Sequence, residues 1–308
     1  MSADVVATEA SSGEPDTSPV MRRICEAVQQ GQCILFLGAG VHHTPPDGSG
    51  WTYPEEVRPL LGGELSERLA AECAAEGKTL PGETRNLGRT SLLYETTFKR
   101  NQLVTTVKDA VQTGKKSSPV LCGLADLNFP LVITTNFDQL FEDALTQSGK
   151  HPAMSIYNKD WVPTAQYAGT GDPTPSEPFV LKIHGDVGSP ESIVITDQDY
   201  IHFILRISER SGPYDPIPSV FKFRLEVWPL LFIGYSLLDY NLRVLFEITR
   251  WRSDPANIRV SYSVDPTPDP LVAVVLNNVT FIVEDAWTFV PKLYRMVLGK
   301  EMPNRCSA

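Results

Sequence analysis

Residues 33–40 read Cys33-Ile34-Leu35-Phe36-Leu37-Gly38-Ala39-Gly40, five apolar residues in a row and then an abrupt stop at glycine. A continuous apolar run of this length suits a strand buried on both faces of a parallel sheet, because a strand with one wet face alternates instead. Immediately upstream, residues 20–30 place Val20, Ile24, Ala27 and Val28 on one helical face, and Gly31 ends that helix.

Further along, apolar runs of strand length recur at Leu131-Val132-Ile133-Thr134, Phe179 to Ile183, Ser192 to Ile195, Leu230 to Ile233, Ile258 to Ser263 and Val279 to Val283. Helical periodicity fills residues 63–76, 90–127 and 139–146 and returns near 286–298. Residues 41–60, with Pro45, Pro46, Pro54 and Pro59, and residues 158–178 read as loops. Buried strands alternating with helices imply an α/β fold, a doubly wound, Rossmann-like parallel sheet covered on both sides. The expected organisation is a disordered tail at 1–18, one domain over 19–300 with a helical insertion or cap at about 41–127, and a short tail at 301–308. Residues 1–18 are rich in Ser, Glu, Asp, Thr and Pro and have too little apolar surface to offset the entropy of ordering.

The 308 residues carry 27 Lys and Arg against 37 Asp and Glu, a formal net charge of -10. An acidic surface repels a phosphate backbone, so no direct nucleic-acid binding is expected. Cys25, Cys33, Cys73, Cys122 and Cys306 form no CxxC pair, so a four-cysteine zinc site has no support and no metal is expected. The odd count and the absence of a signal peptide lead us to expect reduced thiols in a cytoplasmic protein. No apolar run approaches the roughly 20 residues that span a bilayer, so no membrane partner is expected.

Four short motifs each follow an expected strand, and in a doubly wound sheet ligands bind outside the carboxyl ends of the strands. Gly38-Ala39-Gly40 lets backbone approach a pyrophosphate, although a Gly-Ala-Gly turn alone is common. Thr134-Thr135-Asn136-Phe137-Asp138 offers an amide and a carboxylate two residues apart, suited to gripping a ligand or to capping the next helix. Lys182-Ile183-His184-Gly185-Asp186 puts a histidine at a strand end, where it suits acid/base work near neutral pH, with Asp186 as a possible orienting group. Gly234-Tyr235-Ser236-Leu237-Leu238-Asp239 brings a hydroxyl and backbone amides to a phosphate or ribose, or simply turns a strand into a helix. The adjacent His42 and His43 read as surface loop histidines rather than a metal site.

Taken together and in this order, over about residues 31–298, the four motifs resemble the sirtuin family, and within it the bacterial sirtuin-like NAD-cleaving domains of anti-phage defence proteins. The resemblance implies NAD as substrate, with Gly38, Ala39 and Gly40 facing its pyrophosphate. It implies Asn136 holding the nicotinamide-side ribose or a reacting water, Asp138 binding the nicotinamide carboxamide and His184 acting as general base. Gly234 and Ser236 are implied as contacts to phosphate or the adenosine-side ribose, with Asp265 a further candidate for that ribose. Val41-His42-His43 departs from the serine that sirtuins carry after the glycine turn, and the zinc-ribbon module of protein-deacylating sirtuins is absent from the pattern.

The expected activity is an NAD glycohydrolase that depletes NAD when triggered. An NAD-dependent protein deacylase and a non-catalytic NAD- or ADP-ribose-binding scaffold are the alternatives. The missing zinc ribbon argues against the first, and His184, which a pure binder does not need, against the second. Because unrestrained NAD cleavage harms its host, the reading implies control by homo-oligomerisation or by a separate partner such as a hexameric ATP-driven DNA translocase. Leu92, Leu93, Phe98, Trp287, Phe289 and Leu293 are candidate contact residues, with core packing the competing fate for several of them.

Overall fold

The computed structural model describes residues 18–80, 85–157, 172–208, 219–237, 260–276 and 278–304. The expected tail before residue 18, most of the 158–178 loop, Leu238, Asp239 and the start of the strand expected from Ile258 lie outside them.

Among the described residues, seven strands form one parallel sheet in the order β3-β4-β2-β1-β5-β6-β7: β1 (Ile34–Leu37), β2 (Leu131–Thr134), β3 (Ala153–Ile156), β4 (Phe179–Lys182), β5 (Leu230–Ile233), β6 (Ser261–Val264) and β7 (Val279–Ile282). β1 is central, with Ile34 in register with Leu131 on one side and Leu230 on the other. The chain leaves β1 for β2 and returns to the other flank of β1 only at β5, so the topological switch point lies at the carboxyl end of β1. That is the expected doubly wound arrangement.

The apolar runs are continuous because both faces are covered. Leu35, Leu37, Val132, Leu231 and Ile233 point into one core layer, while Ile34, Phe36, Leu131, Ile133, Leu230 and Phe232 point into the other. The first layer is closed by α1 (Pro19–Gln29), α5 (Pro119–Asp126), α6 (Leu140–Gln147) and α10 (Ala286–Leu298), the second by α7 (Asp197–Ser208), α8 (Ser219–Val227) and α9 (Pro270–Val275). α1 and α5 start with proline after a serine N-cap, and α10 starts behind Asp285 and ends at Gly299 in the left-handed conformation. Each device satisfies backbone groups that a helix end leaves unpaired.

α2 (Gly62–Ala75), α3 (Leu87–Phe98) and α4 (Arg100–Val111) build a separate small core around Leu69, Tyr94, Leu103 and Val107. This cap covers the carboxyl ends of the strands through Phe137, Val187, Ile193 and Ile195, which belong to the same cluster. Arg100 ties it to the main domain by an ion pair to Asp199 at 2.7 Å and a hydrogen bond to the Ile193 carbonyl at 2.5 Å.

Three expectations change. The helical insertion expected over 41–127 is shorter, since α5 packs its apolar face on the sheet rather than in the cap. Ser192 to Ile195 does not join the sheet: a 3-10 turn at Pro190–Ser192 leads into an extended segment whose Ile193 and Ile195 fill the cap core. Its Val194 amide donates to the His184 carbonyl at 2.9 Å instead of to a ladder. Conversely, β3 has no continuous apolar run (Ala153-Met154-Ser155-Ile156) because it is an edge strand, partly exposed at three of its four residues. Among the described residues no helix is long and apolar enough to cross a membrane.

Candidate functional site

A cavity of about 860 Å³ opens over the carboxyl ends of β1, β2, β4, β5 and β6. That volume falls in the range of roughly 300–1,000 Å³ typical of small-molecule sites. Ala39, Gly40, Asn136, Asp138, His184, Gly234, Ser236 and Asp265 all line it, so residues spread over more than 220 positions of sequence meet in one place. Leu60, Leu61, Leu65 and Leu87 of the cap region and Trp287 at the start of α10 supply apolar wall.

Gly38 is the exception among the residues named from sequence. It is buried behind the cavity, and a Cβ on it would lie 2.3 Å from the Gly234 carbonyl oxygen. Gly40 donates its amide to that same carbonyl at 2.7 Å, and a Cβ there would also come within 2.7 Å of it. Gly234 itself has φ +67, and a Cβ on it would lie 2.4 Å from the Val41 nitrogen. The first and fourth motifs therefore need glycine in order to pack against each other. The Gly40 amide is committed to that contact rather than offered to a phosphate.

The Asn136 amide donates to Thr134 Oγ1 at 3.0 Å, and that hydroxyl donates to the Leu37 carbonyl at 3.0 Å, which anchors the end of β2 to the end of β1. The Asn136 side chain thus projects from a braced turn. Its Oδ1 is buried and has no hydrogen-bond partner among the described residues. A buried acceptor left unmet costs about 1–3 kcal/mol, so such a group on a cavity wall is poised for a ligand donor.

His184, expected at a strand end, lies there, two residues past β4. It is only 3% exposed, although it lines the cavity. Its ring is held edge-on by Tyr200 and Phe203, each with centroids 5.3 Å away, while Gly185 turns the chain with φ +86. Only glycine suits that turn, because a Cβ would meet the Ser192 carbonyl oxygen at 2.3 Å. The carboxylate of Asp186 turns to Lys182 Nζ at 2.5 Å, Gln139 Nε2 at 2.8 Å and the Gly188 amide at 2.6 Å.

The sequence reading placed His42 and His43 on the surface. His43 is exposed, but His42 is 2% exposed and lines the cavity floor. The 3-10 turn Ala39–His42 carries it inward. Its Nδ1 lies 3.2 Å from the Tyr53 hydroxyl, which donates to the Lys116 carbonyl at 2.7 Å. Its Nε2 faces Asp138 Oδ2 at 3.6 Å, an ion-pair distance beyond hydrogen-bond reach. Asp138 Oδ1 accepts from the Leu140 amide at 3.1 Å, so it helps to begin α6 as well as facing the cavity.

Beneath Asp138 lies Lys182, fully buried, contacting the Asp138 carbonyl, Glu142 Oε1 at 2.9 Å and Asp186 Oδ2. Burial works against its charge, but the neighbouring Glu142, Asp186 and Asp138 outweigh burial and push its pKa up. Burial likewise opposes ionisation of Asp138, yet the facing His42 ring, with Lys182 behind and the Leu140 amide, holds it below the usual carboxylate range. In Glu142 burial prevails and raises the pKa.

Sequence reasoning did not single out His42, Tyr53 or Lys182 as working residues, since their partners lie far away in the chain. Asp265 lines the cavity, although its Oδ1 also accepts from the Thr267 amide at 2.9 Å. Of the suggested contact residues, Trp287, Phe289 and Leu293 are core, at 3% exposure or less, because the apolar face of α10 packs on the sheet. Leu92, Leu93 and Phe98 are half-buried. Cys25, Cys33, Cys73 and Cys122 are buried. Among the described residues, no group of three or more His, Cys, Asp or Glu side chains is arranged to hold a metal ion.

Residues 130–280 match the family model described as a SIR2-like domain. The chain is 23% identical over 252 residues to Defense-associated sirtuin 2 of Bacillus subtilis, covering 80% of this chain and 22% of that protein. It is 26% identical to the NAD(+) hydrolase ThsA of Enterococcus faecium, covering 77% of this chain and 44% of that protein. It is 25% identical to the NAD(+) hydrolase ThsA of Acinetobacter baumannii, covering 77% and 43%. The chain therefore spans less than half the length of these relatives.

Proposed function

We propose, from the match of residues 130–280 to the SIR2-like domain model, that the chain is an NAD glycohydrolase, cleaving NAD to nicotinamide and ADP-ribose as an effector of anti-phage defence. The observation that carries this reading is the joint presence, on one switch-point cavity, of an unmet buried acceptor on Asn136 and a ring-braced histidine, His184. The names of the relatives, which include NAD(+) hydrolases and a defence-associated sirtuin, support it.

In this reading the bond between the nicotinamide nitrogen and ribose C1′ breaks, and its electron pair stays with the departing neutral nicotinamide. The ribose carbon gains positive character and is met by a water oxygen. Asn136 Oδ1 accepts a hydrogen bond from that water or from the ribose, and His184 takes the proton that the water loses. General-base help of this kind contributes about 10²- to 10⁴-fold, and positioning supplies much of the rest. Asp138 faces the nicotinamide carboxamide. Ala39, Gly40, Gly234, Ser236 and Asp265 border the remainder of the dinucleotide, with Gly38 supporting them from behind.

Restraint of such an activity belongs to self-association or to a separate partner, such as an ATP-driven DNA translocase, which also supplies the trigger. The test is release of free nicotinamide from NAD by the full chain, alone and with candidate partners. Nicotinamide and ADP-ribose in equal amounts are expected. A purified, folded chain that binds neither NAD nor ADP-ribose would overturn the reading.

A further inference from the structure

β7 (Val279–Ile282) ends the sheet, and among the described residues no strand pairs with its outer side. The ladder to β6 fixes which backbone groups face outward. The Asn278 carbonyl accepts from the Ser261 amide at 3.0 Å, and the Ile282 carbonyl accepts from the Asp265 amide at 3.1 Å. Asn278, Thr280 and Ile282 therefore turn their backbone groups towards β6, and Val279, Phe281 and Val283 turn theirs away from it. The Val279 amide goes to the Leu276 carbonyl at 3.0 Å, so the Phe281 N–H and carbonyl form the middle of the open edge. Proteins blunt such edges with charged side chains, proline or a bulge, because an open edge is a template for another chain. β7 has none of these, and residues 270–283 hold no charged side chain at all, in a chain of which 21% is charged. Just before β7, α9 is apolar all round. Val272 and Ala273 pack on the sheet, while Leu271, Val274 and Val275 stand 77%, 71% and 65% exposed. A helix that is apolar on every face belongs in an interior.

We propose that β7 and α9 form a two-fold self-association surface whose occupant is a second copy of this chain. Two considerations select a second copy. The first is hydrogen bonding. Two β7 strands related by a two-fold axis perpendicular to the sheet run antiparallel, and pairing about Phe281 lets each copy donate its Phe281 N–H to the other's carbonyl. The same axis keeps both α9 helices on one side of the joined sheet, so Leu271, Val274 and Val275 bury against their own counterparts. The second is charge. The chain has a formal net charge of -10, so two copies repel each other over most of their surfaces. The uncharged stretch 270–283 is where like can meet like. A two-fold contact also closes on itself, whereas a head-to-tail use of the same edge builds fibres. This surface lies close to the cavity: Asp285, Ala286 and Trp287, which line it, begin three residues after β7 ends.

The inference stands apart from the NAD reading and is tested without turnover. Sedimentation velocity is run on the full chain over a micromolar concentration series, beside the double variant Leu271→Glu, Val275→Glu. The parent should sediment as a dimer or a larger even assembly. The double variant should raise the dimer dissociation constant at least about 100-fold, because each substitution counts twice across a two-fold contact. Both positions are exposed in the single chain, so its fold should hold. Val274→Lys, at a third exposed position, stands in should the double variant fold poorly. Amide hydrogen exchange reads the strand pairing. The Phe281 amide should be protected in the parent assembly and lose that protection in the double variant, while the Thr280 and Ile282 amides, bonded to β6, keep theirs. A parent that is monomeric throughout the series, an assembly that the variants leave intact, or a Phe281 amide unprotected in the parent assembly each overturns the inference.

Discussion

The carbonyl oxygen of Gly234 occupies the place where a side chain on Gly38 would begin, only 2.3 Å from that Cβ position. The turns after β1 and β5 interlock backbone to backbone at the switch point, and they do so before any ligand is considered. Gly38→Ala and Gly234→Ala should therefore each destabilise the free protein. At Gly234 the positive φ adds strain to the clash, and the combined cost should be at least about 1–3 kcal/mol. Thermal unfolding without ligand checks this. An unchanged Tm for both variants would mean that the interlock is not what requires glycine here.

Asn136→Ala and His184→Ala should each reduce NAD cleavage by at least about 10²-fold. The two should differ in stability. Asn136→Ala removes a buried acceptor that has no partner among the described residues, so its Tm should hold or rise. His184→Ala opens a gap against Tyr200 and Phe203 and should lower it. Product analysis and thermal melts on the same preparations test both halves. Parent-level cleavage by either variant would remove that residue from the site.

Lys182→Met should cost about 3–5 kcal/mol, because it leaves the carboxylates of Asp186 and Glu142 buried without their cation. The pKa of Lys182 is raised in the folded protein, so its contribution is in place throughout neutral pH. It fades only as the pH climbs past the ordinary lysine range. Denaturant unfolding at pH 7 measures the loss. A cost under 1 kcal/mol would show that the buried cluster is compensated in another way.

The bridge between cap and sheet is open to a pH test. Burial of Asp199 opposes its ionisation, but the hydrogen bond and charge of Arg100 outweigh burial and hold its pKa down. A depressed folded pKa means that the contribution is present above the unfolded carboxylate range and is lost as pH falls through the folded value. Asp199→Asn should therefore be less stable than the parent at pH 7 and converge with it in acid. Arg100→Met should loosen α2, α3 and α4 first, seen as faster amide hydrogen exchange in the cap than in the sheet. Stability curves that stay parallel from pH 7 to pH 2 would contradict the first half of this prediction.

Much of the architecture was already legible in the chain. Runs such as Ile34 to Leu37 and Leu230 to Ile233 have no polar residue because both faces of the sheet are covered. Their mere continuity thus reported a doubly wound fold and the strand ends where ligands gather. Asn136, Asp138, His184 and Ser236 could be named because each lies within four residues of such an end. Local pattern failed where burial came from elsewhere. Ser192 to Ile195 has the composition of a strand, yet Ile193 and Ile195 are buried by cap helices. At the edge strand β3, partial exposure removes the apolar continuity that marks the others.

What the sequence by itself determined was the buried strands at the centre of the sheet and the turns that follow them, since apolar periodicity and glycine placement are local properties. Only the tertiary structure decided what His42 is. A histidine in a proline-rich loop carries the same local signal whether it faces water or a cavity. Its meaning depends on Tyr53, Lys116 and Asp138, brought to it by separate segments of the chain. The same holds for Lys182, whose charge is sustained inside the protein by Glu142, 40 positions away in sequence, and by Asp186. Charge pairing and hydrogen bonding depend on distance in space, and for residues far apart in the chain that distance exists only once the chain has folded.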